Sequence, residues 1–150
     1  MMRFLSLLVA FIGVVAVILG AVFVGLGVSK SNQLTEAMRV EQVRLSIHPD
    51  GEPALIDSSS EAQAAGDLIR EHRRSIAPSY QDLLGEGKFD PTNPVHLTYA
   101  QALNMENYLY LAVVAFGLTQ AVMASGVFMV ITGIALGSTG VVLFQLQKAR

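Results

Sequence analysis

Between Asn107 and Gln147 the sequence reads NYLYLAVVAFGLTQAVMASGVFMVITGIALGSTGVVLFQLQ, 41 residues without a charged side chain. A helix that crosses a bilayer needs about 20 mainly apolar residues, since the hydrocarbon is ~30 Å thick and each residue rises ~1.5 Å. This run is twice that length. Tyr108 and Tyr110 suit the aromatic belt at one interface, and Lys148 and Arg150 suit the anchors at the other. Forty residues of unbroken helix would reach roughly 60 Å, against ~40–45 Å for a bilayer with its headgroups. The excess predicts a span over 108–140 with a break at Gly137-Ser138-Thr139-Gly140, and a cytoplasmic tail over 141–150. Two short spans turning near Ser125-Gly126 would require a turn too tight and too apolar.

A second uncharged run lies near the other end, 26 positions between Arg3 and Lys30. Phe4 to Val28 contains no proline and exceeds the ~7–15 apolar residues of a cleaved signal peptide. Residues 1–29 therefore read as an uncleaved signal-anchor helix. All twelve Asp and Glu fall between the two runs, and only 15% of the 150 residues are charged, against about 25% in soluble domains. That layout excludes a soluble globule and a nucleic-acid binder. Arg3, Lys148 and Arg150 at the ends keep both termini cytoplasmic by the positive-inside rule. The segment 30–107 between the spans would be exported. The expectation is an α-helical protein of the bacterial inner membrane, with two antiparallel transmembrane helices and a small mixed α/β exported segment between them.

Both runs carry small residues seven apart: Ser6, Gly13, Gly20 and Gly27 in the first, and Ala112, Thr119, Gly126, Gly133 and Gly140 in the second. A repeat of seven keeps one face of a slightly supercoiled helix turned to a partner. Small residues there let two backbones approach, the main source of packing where lipid is as apolar as leucine. The two stripes predict that the helices pack on each other. Gln120 is the most polar side chain at depth in the run that ends at Gln147, and its amide requires a partner across a helix interface.

Within the exported segment, Val43, Leu45 and Ile47 alternate with polar residues as in a half-buried strand. His48-Pro49-Asp50-Gly51-Glu52-Pro53 reads as a turn, and Ala54-Leu55-Ile56 as a return strand. Ser58 and Glu61 form a capping-box pattern that opens a helix. Ala65, Leu68, Ile69, His72 and Ile76 follow at helical spacing, and Pro78 ends it. A short helical turn closed by Gly85 and a loop to Pro94 come next. From Val95 a helix should run into the second span.

Catalytic signals are sparse. His48, His72 and His96 show no metal-ligand spacing, and no nucleophile motif is present. His72 reads as a helix-face residue packed beside Ile69 and Ile76. The spans lack His, Asp, Glu, Lys and Arg, the residues of proton relays and ion paths. For haem, only Met105, Met123 and Met129 are near. No cofactor or metal is expected, and no enzymatic activity. Arg70, Arg73 and Arg74 form the one basic cluster. They could meet lipid phosphates or an acidic patch of a partner, or simply make a solvated helix end favoured by the macrodipole.

Glu61-Ala62, Ile69, Glu71-His72, Tyr80-Gln81-Asp82-Leu83, Asp90-Pro91 and Val113-Val114-Ala115-Phe116-Gly117 resemble a family of small actinobacterial-type two-span membrane proteins. Its members often carry the label aromatic ring-opening dioxygenase. Such a site needs two His and a carboxylate gathered on iron, an organisation that these histidines lack. The layout is also similar to accessory subunits of actinobacterial respiratory supercomplexes, of the promiscuous association factor type. That resemblance implies a non-enzymatic subunit in contact with membrane lipid and other integral membrane subunits, around cytochrome bc and cytochrome c oxidase. A stand-alone envelope protein that binds lipid or a small ligand through its exported segment is the other expectation.

Overall fold

The computed structural model describes residues 2–47 and 51–148, with side chains from Phe4 onward. His48, Pro49 and Asp50 of the expected turn, the Arg3 side chain and Arg150 lie outside the described residues. In chain order the elements are α1 (Met2–Glu41), β1 (Arg44–Leu45), β2 (Ala54–Leu55), α2 (Ser59–Ile76), α3 (Tyr80–Leu84) and α4 (Pro94–Lys148). The protein is mostly helical. Two of its helices are long and apolar enough to cross a membrane.

The chain divides into two compact units. One comprises the residues up to Asn32 with those from Leu118 on, and the other Gln33–Gly117. In the first unit α1 and α4 pack through their small residues. Gly13 lies against Gly133, Gly20 against Gly126 and Val130, and Gly140 against Ala10. Their large apolar side chains point away from that seam: Phe11 is 66% exposed, Leu118 67% and Phe128 70%. The core helices of a soluble protein would bury these residues. Such outward faces point to a membrane location.

The expected break at Gly137-Ser138-Thr139-Gly140 does not occur. α4 continues for 55 residues through this tetrapeptide to Lys148, and through Ser125-Gly126 as well. Packing explains the difference. A glycine inside a helix costs about 1 kcal/mol relative to alanine, but Gly140 seats its backbone on Ala10. The stripe thus extends the α1 contact one more repeat. The Thr139 hydroxyl donates to the Ala135 carbonyl at 2.8 Å, which satisfies it within the helix.

The second unit takes in the last turns of α1, from Gln33 to Glu41. Gln42 takes a left-handed φ of 51° and donates its N–H to the Arg39 carbonyl at 3.2 Å, closing the helix. β1 and β2 pair antiparallel with Arg44 opposite Leu55 and Leu45 opposite Ala54, so the hairpin is shorter than the alternation suggests. α2 opens on a complete capping box. Glu61 N–H donates to Ser58 Oγ, and Ser58 N–H donates back to Glu61 Oε2 at 3.1 Å. Asn93 Oδ1 accepts from Val95 N–H at 2.9 Å, and Pro94 occupies the first helical position of α4, where no N–H is needed.

The core of this unit is Met38, Ile56, Ala62, Ala65, Leu109 and Phe116. It therefore draws on α4 well past residue 107, the expected limit of the exported segment. Ala62, Ala65 and Gly66 are buried on α2. A methyl group added at Gly66 would lie 3.2 Å from the Tyr110 ring, so the glycine lets α2 approach α4.

Candidate functional site

The stripe residues form one surface of the first unit. Ser6, Gly13, Gly20 and Gly27 are buried on α1, as are Thr119, Gly126, Gly133 and Gly140 on α4, with Ala112 half-buried in the second unit. A Cβ on Gly126 would stand 2.6 Å from the Gly20 carbonyl oxygen, and one on Gly133 2.6 Å from that of Gly13. These obstacles are backbone atoms, which cannot rotate away. Gly25, Gly117 and Gly137 have open space at the same point. On α1 and α4 a Cβ is obstructed only at glycines of the repeat of seven, while the Gly137 backbone also lies against Gly13.

Gln120 does not lie in this seam. It is exposed on α4 beside exposed Gly117 and Leu118, and its amide makes no hydrogen bond among the described residues.

The arginine cluster is divided by the fold. Arg73 is buried, so it is not available to a lipid or a partner as the sequence suggested. It lies on the α2 face that also carries Ala62, Gly66 and Ile69. Its Nε donates to Glu106 Oε2 at 2.7 Å, with the side chains 10% and 9% exposed. Its Nη1 donates to the Tyr99 hydroxyl. Glu106 holds the guanidinium above its ordinary pKa despite burial. Arg70 pairs with Asp67 at 2.6 Å, and Tyr110 Oη donates to the same carboxylate at 2.6 Å. That hydroxyl, with the Gln63 amide and Arg70, holds the Asp67 carboxyl below the usual range. Arg74 is exposed.

The histidines are equally dispersed. His72 is exposed rather than packed beside Ile69 and Ile76, because the buried face of α2 passes through Arg73. His96 Nδ1 accepts from Asp90 N–H at 3.0 Å and its ring stacks on Phe89, which fixes the loop before α4. Thr92 donates its hydroxyl and N–H to the Asp90 carboxylate, keeping it ionised below the ordinary range. No three His, Asp or Glu side chains among the described residues gather to hold a metal.

Sequence reasoning missed Glu106 and Tyr99. The signal was present in spacing. Tyr99, Glu106 and Val113 are seven apart, and Arg73 completes the Ala62, Gly66, Ile69 series. It also missed a groove of about 580 Å³ on the second unit. Glu41, Gln101, Asn104 and Asn107 form its polar part, and Val43, Met105, Tyr108 and Leu111 its apolar part.

Comparisons with protein-family models, curated proteins and solved structures give no match to this chain.

Proposed function

We propose that this chain is a non-enzymatic accessory subunit of a larger complex in the bacterial inner membrane. Its two apolar helices would cross the bilayer as an antiparallel pair, with both termini cytoplasmic and the central segment outside. The observation that carries this reading is Gln120. A carboxamide exposed on an apolar helix face is costly in hydrocarbon unless another chain supplies hydrogen bonds. A neighbouring integral subunit meets that need where lipid tails cannot. The spent polar groups support the same reading: Arg73, Glu106, Tyr99, Asp67 and Tyr110 satisfy one another within the fold. They shape a scaffold and leave no activated nucleophile or base among themselves. The proposed host is the cytochrome bc/cytochrome c oxidase supercomplex, by the resemblance to its accessory subunits, and the proposed role is support of assembly.

The test is a pull-down from native membranes in mild detergent, with a tag after Arg150 and an optical spectrum and native gel of the eluate. Co-elution with a large haem-containing complex, weakened by Gln120→Leu, is the expected result. A colourless particle of monomer or dimer size, unchanged by Gln120→Leu, would overturn the proposal.

A further inference from the structure

The groove on the second unit combines features that match one class of ligand. Its lining carries a single formal charge, that of Glu41, and three carboxamides, Gln101, Asn104 and Asn107, along α4. None of these four side chains makes a hydrogen bond or ion pair among the described residues. Their donors and acceptors are therefore uncommitted. Along the same helix the lining becomes apolar. Tyr108 and Leu111 lie within the uncharged run that starts at Asn107, and Met105 and Val43 complete that part of the wall. From Gln101 to Leu111 the helix rises about 15 Å, enough for a lipid headgroup and its first methylenes. The volume lies within the ~300–1,000 Å³ usual for small-molecule sites.

We infer that this groove binds a phospholipid with a primary amine in its headgroup, phosphatidylethanolamine being the simplest. The ammonium donates to the Glu41 carboxylate. Carboxamide N–H groups of Gln101, Asn104 or Asn107 donate to the phosphate oxygens, and the acyl chain follows Met105, Tyr108 and Leu111. Charge complementarity selects the class. The lone carboxylate repels an anionic headgroup that has no amine. A choline headgroup has the positive charge but no N–H to donate, so it forfeits the charge-assisted hydrogen bond. The inference rests on the membrane-spanning reading of α1 and α4, but not on the identity of any host complex.

The full chain would be reconstituted into nanodiscs containing equal phosphatidylethanolamine, phosphatidylcholine and phosphatidylglycerol, then released for native mass spectrometry of retained lipid. Phosphatidylethanolamine should be retained about fivefold over the other two, the effect of one exposed ion pair near the upper end of its range. Glu41→Gln should abolish that preference while leaving the unfolding temperature unchanged. Asn104→Leu should reduce retention of phosphatidylethanolamine without restoring phosphatidylglycerol. Equal retention of the three lipids, preference for phosphatidylglycerol, or an unaltered preference in Glu41→Gln would overturn the site and leave the membrane reading intact. A chain that stays monodisperse without detergent and does not enter nanodiscs would overturn the membrane reading itself.

Discussion

Arg73 and Glu106 form a nearly buried pair in the second unit, and each is the other's principal source of charge compensation. Removing one partner leaves a desolvated charge. Glu106→Leu is therefore expected to cost about 3–5 kcal/mol in thermal or denaturant unfolding. The double variant Arg73→Met with Glu106→Leu should be more stable than either single variant, because two apolar side chains can pack where one orphaned charge cannot. Strictly additive losses would show that the pair contributes nothing as a pair. Asp67 gives a pH dependence of defined sign. Its carboxyl has a lowered pKa in the folded chain, so its contribution is present above the unfolded value of about 4 and is lost as pH falls through the folded value. Tyr110→Phe removes the leading cause of that shift. It should flatten the stability profile below about pH 4 and leave the profile near neutrality nearly parallel to that of the parent. The inward turn of Arg73 was hard to read from sequence because a charge triplet near a helix end ordinarily faces solvent. Its place in the Ala62, Gly66, Ile69 series becomes meaningful once Glu106 is known to lie opposite.

At the scale of elements, the local signals written into the chain were the most legible. Ser58 and Glu61 start α2 as their spacing requires, Gly85 follows α3 with a φ of 56°, and Pro94 opens α4. These are short-range effects of capping and backbone geometry. The course of α4 beyond Gly137 depended instead on a contact with Ala10, 130 positions earlier in the chain (Gly140 minus Ala10). Local propensity argued for a break there, and packing prevailed. Glycines of the two kinds should respond oppositely to the same substitution. Gly126→Ala places a methyl group 2.6 Å from the Gly20 carbonyl and should destabilise the helix pair by about 1–3 kcal/mol, the usual cost of overpacking. Gly117→Ala meets open space and should be neutral or stabilising by about 0.5–1 kcal/mol, through reduced backbone freedom in the unfolded chain. Unfolding of both variants in detergent checks this, and equal effects would remove the basis for a directed seam.

The whole molecule comprises a glycine-lined helix pair and a second unit in which Arg73, Glu106 and Tyr99 satisfy one another, as do Asp67 and Tyr110. The two charge-free runs made the two long apolar helices readable at once, because length and charge are properties of the sequence alone. The limits of the second unit were less readable: Leu109 and Phe116 look like membrane residues by composition, yet they belong to a core with Met38, Ile56 and Ala62. The central claim, that α1 and α4 form an antiparallel pair in the membrane, is open to a direct measurement because the chain contains no cysteine. Cysteines would be introduced in native membranes at Val24 with Met123, and at Ala10 with Phe144, pairs drawn from opposite stretches of the contact surface. An antiparallel pair predicts that oxidation gives intramolecular disulfides in both pairs and none in the mismatched pair Val24 with Phe144. Efficient cross-linking of the mismatched pair, or none in either matched pair, would contradict it.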